Sequence, residues 1–168
     1  MSFAAQPDPA YAAMRDWMER WSDLEARLAA LLLAPQEAGH FPARLQDIHH
    51  QADTLLALDA DATLYWLFQL AASSPVGYSA SHAMVCWALC RLVGQTLGHT
   101  EQEQTSLACA ALTMNIAMTR LQDELANQTT PPTADQRAAI DTHAARGAQW
   151  LRELGVRDAA WLQIVEQH

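Results

Sequence analysis

The run Ala110-Ala111-Leu112-Thr113-Met114-Asn115-Ile116-Ala117-Met118, AALTMNIAM, decides how the rest of the chain is read. It is apolar nearly throughout, yet it holds an asparagine where a core helix would favour another aliphatic side chain. Upstream, Thr100 followed by Glu103 makes a capping box, in which each side chain satisfies a backbone amide that the first helical turn leaves unpaired. A helix therefore starts at Thr100 and leads into the run. No segment alternates apolar and polar residues with period two for long enough to make a strand. The expected fold is all-α, a helical bundle.

The same signals recur in both directions from that run. Before it, a helix from about Ser79 to Leu97 ends at Gly98, with His82, Val85, Cys86, Leu89 and Val93 sharing one face. Asp8 followed by Pro9 is a good helix start, because proline at the first helical position gives up an amide that had no partner. Met14, Trp17, Met18, Trp21, Leu24, Leu28 and Leu31 form the stripe that follows, and Pro35 stops it. Pro42 opens a second helix with Leu45, Ile48, Ala52, Leu55 and Leu56 on one side. Residues Ala62 to Ala72, apolar nearly all round, read as a central buried helix. The stretch Ser73-Ser74-Pro75-Val76-Gly77 is the clearest break and divides the chain into residues 1–75 and 76–168. After AALTMNIAM, a polar loop from Asn127 to Pro132 precedes a helix capped by Thr133 and Gln136. Gly155 ends that helix, and a last one reaches His168.

Composition narrows the function classes. Hydrophobic residues make up 51% of 168, enough for a sizeable core. The formal charge is −9 and every basic residue is arginine, a balance that argues against DNA or RNA, whose phosphates need a basic surface. The N-terminus has neither the basic nor the apolar segment of a signal peptide. The longest aliphatic run, Leu28 to Ala34, falls short of the roughly 20 residues that span a bilayer. Three cysteines in apolar stretches read as reduced core thiols. A cytoplasmic protein with no membrane partner is expected.

Histidines are the obvious candidates for chemistry. His82 lies on the stripe described above, His143 shares a face with Gly147, Trp150, Leu151 and Leu154, and His168 follows Trp161 and Val165 at helical spacing. Imidazoles converging from several helices can build a metal centre, although three separate core histidines satisfy the same periodicity. A second cluster, Asp47, His49, His50 and Asp53 in DIHHQAD, flanks an apolar stripe through Ile48 and Ala52 and reads as a solvated patch. The glycines mark helix ends and form no phosphate-cradling loop.

Residues 78 to 168 resemble an HD-type metal-dependent phosphohydrolase domain, and more narrowly the HD-GYP branch that degrades cyclic di-GMP in bacterial-type signalling. YSASHAMVCWALCRLVGQTLG is similar to the family's first helix, whose ligand histidine falls at His82. AALTMNIAMTRL stands where the family has Ala-Ala-Leu-Leu followed by His-Asp-Ile-Gly-Lys. PPTADQRAAIDTHAARGAQWLRELG resembles the threonine-capped helix whose ligand histidine falls at His143. WLQIVEQH is similar to the lead-in to the His-His-Glu motif, with His168 at its first histidine. The chain stops inside that motif, which favours a fragment of a longer protein.

The resemblance implies a lost site. Met114 and Asn115 replace the His-Asp pair, and Met118 replaces the phosphate-contacting lysine. The bridging carboxylate becomes one neutral amide oxygen, and a thioether suits soft metals rather than iron or manganese. No cofactor is therefore expected; a divalent iron or manganese ion, if held, would fall to His82, His143 and His168. The resemblance implies a catalytically inactive signalling or regulatory module linked to cyclic di-GMP, with a phosphodiesterase of reduced metal site as the alternative. A third reading is a structural module that dimerises, or binds a protein partner, through N-terminal helices carrying Met14, Trp17 and Trp21.

Overall fold

The computed structural model describes residues 8–73 and 76–168. The expected absence of a leader and part of the break at Ser73–Gly77 lie outside those residues. The described chain folds as α1 (Pro9–Leu33), α2 (Phe41–Leu58), α3 (Ala60–Ser73), α4 (Tyr78–Thr96), α5 (Glu101–Thr113), a 3-10 turn (Ile116–Met118), α6 (Thr119–Asn127), α7 (Ala134–Glu153) and α8 (Ala159–Gln167). Among the described residues there is no strand, and no helix is long and apolar enough to cross a membrane. The fold is an all-α bundle.

Caps set the helix boundaries as the sequence implies. Asp8 accepts from the Ala10 amide at 3.0 Å, and both capping boxes, Thr100 with Glu103 and Thr133 with Gln136, are formed. Gly98 and Gly155 end their helices at positive φ. Gly77, ahead of α4, needs to be glycine twice over. Its φ is 134°, and an added Cβ would meet the Asp123 carboxylate at 3.0 Å. Asp123, from α6, uses that closeness to accept from the Ser79 amide at 2.7 Å, capping α4 from another helix.

One core runs through the whole bundle. Trp21 of α1 and Trp87 of α4 are both fully buried, with ring centroids 6.2 Å apart. Leu45, Ile48, Leu55 and Leu67 join them from one half of the chain, and Ala108, Ile116, Leu151 and Val165 from the other. Residues 8–73 and 76–168 both contribute to this core.

Two helices face differently from expectation. α3 buries only Thr63, Leu67 and Leu70 and leaves Tyr65 and Phe68 more than half exposed, so it is a surface helix. α4 turns Met84, Trp87, Ala88 and Arg91 inward, while Leu89 and Val93, on the His82 side, are 42% and 53% exposed. Both helices are apolar on several sides, and the bulk of Trp87 outweighs a stripe of smaller side chains in choosing the buried face.

Candidate functional site

The helix expected to run through AALTMNIAM stops inside it. α5 ends at Thr113, Asn115 adopts φ −98° and ψ 15°, and the 3-10 turn follows, so the face that carries Ala108 and Ala111 does not continue. Those two alanines are buried, whereas Met114, Asn115 and Met118 are half-buried. Asn115 and Met118 therefore do not lie on one continuous helix face with Ala108 and Ala111.

Against this break pack α7 and α8. A Cβ on Gly147 would lie 3.5 Å from Ile116, 3.5 Å from Val165 and 3.6 Å from the Met114 carbonyl oxygen, ordinary contact distances that show three segments meeting at this point of α7. One turn before Gly147 on α7 is His143, and three residues after Val165 on α8 is His168. Their Nε2 atoms lie 2.9 Å apart and their rings cross edge to face. Each Nδ1 faces a backbone carbonyl of its own helix, Ile140 for His143 and Val165 for His168 at 2.7 Å. A carbonyl only accepts, so each Nδ1 carries a proton and each Nε2 turns its lone pair toward the other. Two such nitrogens attract only through a shared proton or a cation.

His82 does not complete a site with this pair. Its ring stacks on Tyr78, whose hydroxyl is 3.3 Å from Nδ1, and its Nε2 lies 3.6 Å from the Cys86 sulfur. Partial burial lowers the imidazole's pKa and raises that of the Cys86 thiol. Among the described residues, no three His, Cys, Asp or Glu side chains stand together to hold a metal ion. Two imidazoles with no third such side chain grouped with them do not fit an iron or manganese pair, which needs oxygen anions to offset its charge.

The surroundings suit a large anion no better. Asn115 and Met114 share with Ser79 and Ala83 of α4 a void of only about 10 Å³, where the Gln122 Oε1 is buried without a hydrogen-bond partner. Met118 borders a wider depression of about 320 Å³, lined chiefly by apolar groups together with Arg120 and Glu124.

The DIHHQAD cluster is not a solvated patch. Asp47 and His50 are exposed, but His49 is buried, and its Nδ1 accepts from the Trp87 indole at 3.0 Å. Asp53 receives both arms of the Arg91 guanidinium at 2.7 and 3.0 Å, and Arg91 also donates to Gln104 at 3.0 Å. α2, α4 and α5 are thereby clamped through one buried arginine. The sequence holds a signal for it, since Arg91 is the one charged residue in α4.

Trp21 is wholly buried and cannot serve a dimer face, whereas Met14 and Trp17 line a groove of about 700 Å³ between α1 and α3. No protein-family model, no curated protein and no solved structure matches the chain.

Proposed function

We propose that this chain is a catalytically silent, HD-GYP-like regulatory module working in the cytoplasm, descended from a phosphohydrolase and linked to cyclic di-GMP signalling. The observation that carries the reading is the meeting of four motif segments around Gly147 and Ser79, with Met114 and Asn115 at the positions where the resemblance puts the metal-binding pair. Hydrolysis of a phosphodiester by this family's route needs a metal-activated hydroxide, and the metal supplies the charge that lowers the water's pKa. His143 and His168 keep their Nε2 atoms facing each other, but two neutral imidazoles alone hold a divalent charge weakly. Their remaining role is to join α7 to α8.

The test is a metal and turnover assay on the purified full chain. With manganese(II) or iron(II) added, cyclic di-GMP is expected to persist unhydrolysed. Elemental analysis is expected to find no stoichiometric transition metal. Restoring the pair with Met114→His and Asn115→Asp together is expected to raise metal affinity, by about 10- to 100-fold if the segments meet as described. Metal-dependent turnover by the unaltered chain would overturn the reading.

A second reading, an enzyme with a reduced metal site, is favoured by one observation, the two facing Nε2 lone pairs. It requires bound metal in the unaltered protein and its loss in His143→Ala.

A further inference from the structure

We propose that the small void at the helix break is a binding site for one buried water molecule, held by Gln122 and Asn115. The void lies where α4, the end of α5, the 3-10 turn and α6 meet. Leu32 and Ile116, both buried, close it on its apolar side. Ser79, Asn115, Thr119 and Gln122 bring polar side chains to the rest of its wall.

The wall carries an unmet hydrogen-bonding demand. Gln122 Oε1 is shut off from solvent and has no hydrogen-bond partner within the protein. A buried amide oxygen in that condition is costly, because folding removes its water contacts and returns nothing. The side chains around it do not reach it. Thr119 donates its hydroxyl proton to the Ile116 carbonyl at 3.2 Å, which leaves the hydroxyl oxygen able to accept. Asn115 directs no side-chain hydrogen bond to the turn it precedes.

Size selects the occupant. A void admits one water once about 10–15 Å³ is open to the molecule's centre, and this one offers about 10 Å³. A phosphate or an organic ligand does not fit. Charge selects in the same direction. Asp123 lies beside the void, on the Ser79 amide at 2.7 Å, so an anion would meet a carboxylate. A divalent cation would find amides and hydroxyls but no carboxylate on the wall. Water both donates and accepts, so it satisfies the glutamine amide whichever end is presented. The molecule donates to Gln122 and completes its bonding with the Asn115 amide and the hydroxyls of Ser79 and Thr119, within the two to four partners that hold a buried water. Asn115 thereby gains a present role. α5 stops at Thr113, and the water ties the broken segment to α6 and α4.

The inference stands apart from the silent-module reading, because its readouts are an electron-density peak and a melting temperature rather than hydrolysis. A high-resolution crystal structure of the full chain is expected to show one water about 2.7–3.2 Å from the Gln122 amide and from at least one of Asn115, Ser79 and Thr119. Gln122→Met keeps the side-chain length and removes the amide. That variant is expected to lose the water, to lower by one the long-lived waters counted by oxygen-17 relaxation dispersion, and to melt no higher than the unaltered chain. In a dry void the same change would remove an unsatisfied buried group and raise the melting temperature. Such a rise, a void without density, a direct bond between Gln122 and Asn115, or a peak with the shorter contacts of a metal ion would each overturn the proposal.

Discussion

At the scale of single residues, His49 carries a pH dependence that comes from its burial. Burial pushes its pKa down to about 4 from an ordinary 6.5; Asp53 opposes the shift, while Arg91 and His50 reinforce it. Between those two values the unfolded chain takes up a proton that the folded chain refuses, so folding stability is full above about pH 6.5 and falls as the pH drops toward 4. The loss is on the order of 3 kcal/mol. His49→Asn keeps an acceptor for Trp87 and removes the titration, so urea denaturation at several pH values should show a flatter profile. An unchanged slope would exclude His49 as its source. The partnership itself was not legible in the sequence. Helical spacing put His49 beside a stripe, but whether Trp87 would arrive from α4 depends on a contact across 38 residues. Arg91 was legible in principle, because a lone charge in an apolar helix must find a partner or stay in water.

At the scale of elements, helix ends were legible and helix faces only partly so. Caps act through residues three positions apart, which is why Thr100 with Glu103 and Thr133 with Gln136 read correctly. Faces depend on what arrives from elsewhere. The stripe of α2 was unambiguous, with polar residues on its other side, and all of it is buried. α3 and α4 offered apolar residues in several directions, and periodicity could not choose among them. The break after Thr113 was also hidden, since nothing in AALTMNIAM is a strong helix breaker. α7 offers a test of how tightly that break is gripped. Gly147→Ala would place its Cβ at ordinary contact distances of 3.5–3.6 Å in mid-helix. It should therefore raise stability by about 0.5–1 kcal/mol, read as a higher melting temperature. A fall would mean that the three segments need to approach more closely than a methyl group allows.

At the scale of the whole molecule, the helices before and after the Ser73–Gly77 break share buried contacts. α1 and α2 hold the inner face of α4 through Trp21, His49 and Asp53, so residues 76–168 alone would expose Trp87 and leave Arg91 with Glu101, at 3.6 Å, in place of its close pairing with Asp53. Such a fragment is expected to be largely unfolded by circular dichroism, whereas the full chain should melt in one transition seen alike by circular dichroism and tryptophan fluorescence. A cooperatively folded fragment would restore the two-domain division. Residues 8–73 supply side chains to the core around α4 that residues 76–168 lack.

The carboxylate of Asp123, set against the start of α4, has a consequence for any ligand. A helix start is where a chain most readily receives a phosphate, because its amides point outward and its dipole is positive. Here that berth, which shares a void with Asn115, already holds an anion tethered to the protein and seated at 2.7 Å. An incoming phosphate competes with a resident present at an effective concentration of about millimolar or more. A phosphate directed at the Ser79 amide would have to take the place of the Asp123 carboxylate.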